Sequence, residues 1–118
     1  MTCIKSRNFN LSIDQGATFS RALRLKQDNG AAVDLTGVTI TGQVRPSVAS
    51  AVSYDFTFVI ESPATGGIVT WSLTDTQTSA IDTSISTDFV YDVEIEYADT
   101  TKQRLLQGNV SVAPEVTR

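Results

Sequence analysis

The stretch DFVYDVEIEY, residues 88–97, is the segment that decides the fold of this 118-residue chain. Its alternate positions carry large apolar side chains, namely Phe89, Tyr91, Val93, Ile95 and Tyr97. The positions between them are acidic, apart from Val90. Residues two apart lie on the same face of a strand, so the pattern predicts a β-strand with one buried and one solvated face. Such two-faced strands are typical of antiparallel sheets.

Similar blocks lie on both sides of this segment. Alternation predicts further strands within FNLSI, TFSRALRLK, VTITGQVR, YDFTFVIE, IVTWSL and the terminal LLQGNVSVA. The strongest turn signal between them is QDNG, residues 27–30, because Asn-Gly tolerates the positive φ angles of a tight hairpin. A second turn is predicted at DLTG, residues 34–37. Short strands with frequent turns predict an all-β fold, an antiparallel immunoglobulin-like β-sandwich of about seven strands.

One short helical turn is predicted in TDTQTSAI, residues 74–81. Thr74 suits the N-cap, Asp75 lies at the positive end of the helix dipole, and Ala80 and Ile81 are expected to face the core. No repeat, low-complexity tract or linker divides the sequence. We therefore predict a single β-sandwich domain, residues 1–118, with short N- and C-terminal arms.

Composition and charge exclude several classes of protein. The net charge is −4, and the one local basic cluster is Arg21, Arg24 and Lys26, so nucleic acid is not an expected partner. No apolar run approaches the roughly 18 residues of a membrane helix, and the N-terminus does not resemble a secretion signal. We expect a chain that is synthesised in the cytoplasm and has no membrane partner.

Candidate catalytic chemistry is sparse. The chain contains no histidine, which removes the commonest general base and the commonest metal ligand. A Ser–Lys nucleophile would require Lys5, Lys26 or Lys102 to be buried, and all three occupy expected turn or edge positions. Cys3 is the only cysteine, so it is either an inert thiol or an intermolecular contact. We predict no enzymatic activity and no cofactor.

Two further groups have a functional and a structural interpretation. Asp92, Glu94 and Glu96 share one strand face, where they form either a solvated surface or part of a calcium site, and Asp92 alternatively bonds to a neighbouring loop. Trp71 and the tyrosines form either core packing or a platform on which sugars stack. We favour the solvated surface for the carboxylates and the core for Trp71.

The order of several segments resembles a family of small phage virion proteins, the N-terminal domains of phage baseplate upper proteins. These segments are IDQGATF, DLTG, GGIVTWSLT, YDVEI and RLLQGNVSVAPEVTR, which lie within residues 13–118. The resemblance implies a non-catalytic β-sandwich in a tail or baseplate, where receptor-binding fibres attach, with other virion proteins in multiple copies as partners. Family members often continue into a fibre, whereas this chain stops after PEVTR, which leaves capsid decoration or a neck position as alternatives.

Three hypotheses follow for the function. The first is a structural subunit of the virion, assembled in the host bacterial cytoplasm. The second, from another class, is a glycan-binding module that uses Trp71 and exposed tyrosines. The third is an assembly chaperone that is missing from the finished particle.

The chain termini are the candidate assembly contacts. The last strand is expected at a sheet edge, and Gly108 is expected to mark a β-bulge that puts Leu105 out of phase with Leu106. Pro114 stops strand pairing because it lacks an N–H. The arm formed by residues 3–9 and the tail after Pro114 are predicted to be loose in the isolated domain and buried in the assembly. The residues expected to make these contacts are Cys3, Ile4, Phe9, Pro114, Val116 and Arg118.

Overall fold

The computed structural model describes residues 7–27 and 29–116. Within them the chain forms nine β-strands and one α-helix, with a single 3₁₀ turn at Ala64–Gly66. The elements in chain order are β1 (Arg7–Asn8), β2 (Leu11–Asp14), β3 (Phe19–Arg24), β4 (Thr39–Arg45), β5 (Tyr54–Asp55), β6 (Thr57–Ile60), β7 (Ile68–Leu73), α1 (Asp75–Ser79), β8 (Asp88–Glu96) and β9 (Lys102–Ala113).

The strands form two sheets, which confirms the predicted all-β sandwich. The large sheet has six strands in the order β1-β9-β8-β4-β5, with β2 also paired to β9, and the small sheet has the order β3-β7-β6. All pairings are antiparallel except those of β1 and β2, which run parallel to β9. The count of nine strands exceeds the expected seven, because the N-terminal segment supplies two strands and one expected strand divides.

The strand expected in YDFTFVIE divides at Phe56. Tyr54–Asp55 pairs with β4 in the large sheet, whereas Thr57–Ile60 pairs with β7 in the small sheet. Between them, the N–H of Phe56 donates to the carbonyl oxygen of Gly42 at 3.0 Å. The buried Phe56 ring lies between the sheets, with its centroid 4.9 Å from that of Trp71. The chain therefore crosses from one sheet to the other while its apolar positions keep facing the same core.

The alternation that predicted the strands also describes the core. Along β8, the side chains of Phe89, Tyr91, Val93 and Ile95 are buried while those between them are more exposed. The inner residues of β4 and β7 follow the same rule. Trp71 is only 3% exposed, so its predicted place in the core is confirmed. Its ring packs edge-on against Phe19 and stacks near Tyr91.

The last strand is not a sheet edge, so that expectation is wrong. β9 lies between β8 on one side and β1 with β2 on the other, because the N-terminal segment runs beside it and pairs with its backbone. A bulge is present, but its position differs from the prediction. Val93 pairs with Leu106 and Glu94 with Arg104, so the extra residue is Leu105 and not Gly108. Leu105 and Leu106 are consequently both buried.

The predicted helical turn is confirmed, with a different buried face. Thr74 and Gln77 form a capping box, in which the Thr74 hydroxyl accepts from the Gln77 N–H at 3.1 Å. Ile81 is buried as expected. Ala80 is exposed, which corrects its prediction, because Thr78 takes the inward position of the short helix.

The two predicted turns are present. In the first, the N–H of Gly30 donates to the carbonyl oxygen of Gln27 at 2.8 Å, and Gly30 has a φ of 85°. In the second, the Asp34 carboxylate accepts from the N–H of Thr36 at 3.0 Å and from its hydroxyl at 2.6 Å. These two bonds lower the pKa of Asp34. Local side-chain chemistry therefore shapes the turns as the sequence indicated.

Candidate functional site

Three of the six expected assembly contacts can be located. Phe9 is 57% exposed and Val116 is 94% exposed, and Pro114 is exposed as well. Cys3, Ile4 and Arg118 lie outside the described residues. The structure places Phe9 beside the middle of β9 and the other two beyond the end of that strand. These residues therefore do not form one cluster.

The described part of the N-terminal arm is attached to the sandwich, contrary to the expectation of a loose arm. The N–H of Phe9 donates to the carbonyl oxygen of Gln107 at 2.9 Å, and the Tyr91 hydroxyl donates to the carbonyl oxygen of Phe9 at 2.5 Å. A Cβ atom on Gly108 would collide with the same carbonyl group. Gly108 thus allows the backbone of Phe9 to approach the strand closely, while the Phe9 ring stays at the surface.

Burial of Tyr91 has an electrostatic consequence. The ring is almost entirely buried, and this desolvation raises the pKa of Tyr91 to about 12. The hydroxyl therefore stays protonated, and remains a donor to Phe9, to a more alkaline pH than a tyrosine with the ordinary pKa of 10.0. Sequence reasoning assigned Tyr91 to the core but missed that it fixes the N-terminal strand.

The C-terminal tail is also held, as far as the structure describes it. The N–H of Glu115 donates to the side-chain oxygen of Gln15 at 2.9 Å. The Gln15 side-chain amide in turn donates to the carbonyl oxygen of Ile81 at 3.0 Å. Gln15 therefore connects the tail to the segment after α1. The side chain of Val116 projects into solvent beyond this attachment.

Three connections meet at the end of the sandwich from which the tail leaves. They are residues 46–53, residues 80–87 and the residues after β9. Strand pairing places them together, since Arg45 pairs with Val90, and Asp88 pairs with Ser111. The N–H of Asp82 donates to the Tyr54 hydroxyl at 3.1 Å, which links the second connection to the start of β5. A hydrogen bond from the Ser84 hydroxyl side chain lowers the pKa of Asp82, so this carboxylate stays charged at the surface.

This end exposes most of the large apolar side chains that lie outside the core. Val48 is 88% exposed, Ile85 is 95% exposed, and Val52 and Val116 are exposed as well. Among the described residues, the opposite end of the sandwich, residues 26–37, 61–67 and 97–101, exposes no large apolar side chain. We call the first surface, formed by residues 46–53, 80–87 and 113–116, the apolar end.

Sequence reasoning found only part of the apolar end. It singled out Val116 but passed over Val48, Val52 and Ile85, because each is a single apolar residue in a segment rich in Ser, Thr or Ala. The available signal was a large apolar residue in a loop with no alternating neighbours. Such a residue indicates a contact surface only once the fold is known, because the fold brings the three loops to the same end of the sandwich.

The outer face of the large sheet is polar and internally bonded. One row crosses five strands in register, and it consists of Asp55, Gln43, Asp92, Gln107 and Asn8. Gln43 donates to Asp55 at 2.7 Å, and Gln107 donates to Asn8 at 3.0 Å. Two of the four neighbouring pairs in this row are therefore joined by side-chain hydrogen bonds.

The acidic residues of β8 are balanced by β9. Arg104 lies 3.7 Å from the Asp92 carboxylate, so the partner of Asp92 is a side chain on the next strand and not a loop. Glu94 pairs in register with Arg104, and Glu96 with Lys102. Opposite charges across neighbouring strands stabilise the pairing. Among the described residues, no group of three or more His, Cys, Asp or Glu side chains is placed to hold a metal ion.

The remaining candidates for chemistry lie apart. Lys26 and Lys102 are exposed, and Lys5 lies outside the described residues. Trp71 is inside the core, so it offers no face on which a sugar could stack. Within the described chain, no helix is long and apolar enough to cross a membrane.

Comparison with known proteins assigns neither a family nor a function. No family model and no curated protein matches the chain. Among solved structures, an internalin-like protein of Listeria monocytogenes is similar at a TM-score of 0.36 and 13% identity, over 93% of this chain. The chain spans 28% of the length of that protein. A similarity this weak carries no inference.

Proposed function

We propose that this protein is a non-enzymatic structural subunit of a bacteriophage particle, in the tail or baseplate where fibres attach. In this role it docks in multiple copies onto other virion proteins. The phage assignment is supported by the order of QGATF, DLTG, YDVEI and the terminal PEVTR, which resembles baseplate upper proteins. The docking role is supported by the apolar end.

The apolar end carries this proposal because its loops hold most of the large apolar side chains that the described chain exposes. Isolated exposed apolar side chains are common on protein surfaces, whereas a grouping of them indicates a contact with another molecule. Four of the six large exposed apolar residues of the described chain lie there. Removing such area from water contributes roughly 25 cal/mol for each Å² buried.

The first test is the protein content of purified particles, measured by mass spectrometry. Finding the chain in the particle supports the proposal, and its absence from the particle overturns it in favour of an assembly chaperone. A density map of the intact particle then distinguishes a tail or baseplate position from a neck position or decoration of the capsid surface.

The second test concerns the apolar end itself. Val48→Asp with Ile85→Asp is expected to lower the occupancy of this subunit in particles, because two charges would have to be buried at the contact. The matched control is Ala31→Asp, which places a charge on an exposed residue at the opposite end of the sandwich. Equal occupancy of the paired variant and the control would show that docking does not use the apolar end.

The tail after Pro114 has its own test. Deleting residues 115–118 removes Val116 and Arg118 and is expected to reduce subunit occupancy in the particle. The isolated domain is expected to stay folded, since the tail contributes no buried side chain among its described residues. Normal occupancy after the deletion would show that the tail is not an assembly contact.

A further inference from the structure

Among the described residues, the outer strands of the small sheet are open on their outer sides, except just before β6, where the N–H of Phe56 donates to the carbonyl oxygen of Gly42 in β4. The order β3-β7-β6 pairs each with β7 and with no other described strand. The N–H of Leu25 donates to Gly67 on the β7 side, and the N–H of Glu61 donates to Ile68. Because bonding direction alternates along an antiparallel strand, the backbone groups of Ala22 and Arg24 point away from β7, as do those of Phe58 and Ile60. Those of Ser20 do as well, although its carbonyl oxygen accepts from the Arg21 guanidinium at 2.9 Å. Such groups are able to pair with another strand.

The outer face of this sheet is organised in three level rows. Strand register gives the rows Ser20, Ser72, Thr57; Ala22, Thr70, Val59; and Arg24, Ile68, Glu61. Arg24 and Glu61 thus stand at the same level on opposite edges of the same face. The Thr70 hydroxyl donates to the Glu61 carboxylate at 2.8 Å, which holds the carboxylate on that face.

The two edges are complementary in charge and size. The β3 edge carries Arg24 on the outer face, with Lys26 just beyond it, and no carboxylate of the described chain forms an ion pair with either. Arg21 lies on the other face of the strand, with its guanidinium 4.8 Å from the centroid of the Phe19 ring. The β6 edge carries Glu61, and beside it the half-exposed apolar side chain of Val59. Two β3 edges placed together would oppose like charges, whereas β3 beside β6 would not.

We propose that β6 of one copy of this chain pairs with β3 of the next copy, so that the small sheet continues from subunit to subunit. The two strands run parallel, since both are antiparallel to β7 within one subunit. If the rows of one copy continue in register into the next copy, Glu61, Val59 and Thr57 of one copy lie beside Arg24, Ala22 and Ser20 of its neighbour, respectively. Backbone hydrogen bonds provide the pairing, and the side chains fix its register.

The contact is head-to-tail, because two different edges meet. Repetition of such a contact gives a closed ring or an open row, and never a two-fold dimer. The edges are short, so each contact is weak and becomes occupied at high local concentration. The inference goes beyond the proposed function and does not depend on the identity of the particle.

Disulfide trapping tests this geometry in the full chain with Cys3→Ser, which removes the natural thiol. The two variants Ala22→Cys and Val59→Cys, combined in one chain, place the new cysteines opposite each other on neighbouring strands. Their Cα atoms are then about 4.8 Å apart, within the range that a disulfide spans. Mild oxidation is expected to give a ladder of dimers and larger species on a non-reducing gel. Ala22→Cys combined with Thr39→Cys, an exposed position in the large sheet, is the matched control and is expected to stay monomeric.

Two outcomes would overturn the proposal. Dimers formed by Ala22→Cys alone would show a two-fold β3 contact, and the absence of a ladder from the double-cysteine chain would show that the edges do not meet.

Charge exchange gives an independent measurement in the double-cysteine chain. Arg24→Glu or Glu61→Arg alone is expected to lower the ladder yield by about fivefold or more, because like charges then face each other. Combining both changes is expected to restore the yield to within about twofold, since the pair is re-formed with reversed signs. Failure of the combination to recover the yield, or no loss in the single variants, would contradict the proposed register.

Discussion

Trp71→Ala tests the assignment of the only tryptophan to the core. The side chain is 3% exposed, and its ring lies 4.9 Å from Phe56 and 5.5 Å from Phe19, measured between centroids. Replacing a buried aromatic residue by alanine costs about 3–5 kcal/mol, and loss of edge-on ring pairs places this site in the upper part of that range. Because domains of this size are stable by roughly 5–15 kcal/mol, the variant is expected to lose about a quarter or more of its free energy of unfolding.

The assay is urea unfolding followed by far-ultraviolet circular dichroism, since the substitution removes the fluorophore. The midpoint of thermal unfolding is expected to fall by about 10–20 °C. Val59→Ala serves as the control, because Val59 is half exposed on an outer strand and should change stability by about 0.5 kcal/mol or less. If Trp71→Ala lowers the free energy of unfolding by less than about 1 kcal/mol, the core assignment is refuted and the sugar-stacking interpretation is favoured instead.

Three further predictions concern single contacts. Tyr91→Phe removes the bond to the carbonyl oxygen of Phe9 and should cost about 1–3 kcal/mol. The raised pKa of Tyr91 means that the folded state binds the hydroxyl proton more tightly than the unfolded state does. The contribution of this proton to the free energy of unfolding is therefore complete below pH 10 and declines between pH 10 and about pH 12. Over that range, the stability of the wild type should fall more steeply with pH than that of Tyr91→Phe. Thr78→Val should cost about 1–3 kcal/mol in urea unfolding, because it removes bonds to Ala17 and Gly16, whereas the exposed Thr76→Val should have little effect. Gly108→Ala should displace the N-terminal strand, seen as faster amide exchange at Phe9; unchanged exchange would contradict the close approach.

The sequence was sufficient to predict most strands, because their formation depends on local alternation. β4, β7 and β8 each bury every second residue, and the sequence pattern records this directly. The turns at Gly30 and Gly37 were likewise predictable, since positive φ angles favour glycine. These features are properties of short segments and need no knowledge of what lies beside them.

The pairing of strands was less predictable, because it is decided by contacts far apart in sequence. The N-terminal strands pair with β9 across 99 residues, and the sequence contains no local sign that β9 is covered rather than exposed. The extra residue Leu105 was visible as a break in alternation, but its position depends on how β8 lies beside it. The apolar end was hard to predict for the same reason, since its loops are far apart in sequence but lie at the same end of the sandwich.

The covered edge of β9 explains where contacts between copies remain possible. The N-terminal strands close that side of the large sheet, while β3 and β6 have no strand on their outer sides in the part of the chain that the structure describes. A row of copies joined through β3 and β6 keeps all equivalent strands parallel, so every apolar end faces the same side of the row. The two proposed surfaces are therefore separable: a charge at Ile85 should lower occupancy in the particle and leave the disulfide ladder unchanged. Arg24→Glu, in contrast, should reduce the yield of the disulfide ladder, because Arg24 lies at the proposed contact between neighbouring copies.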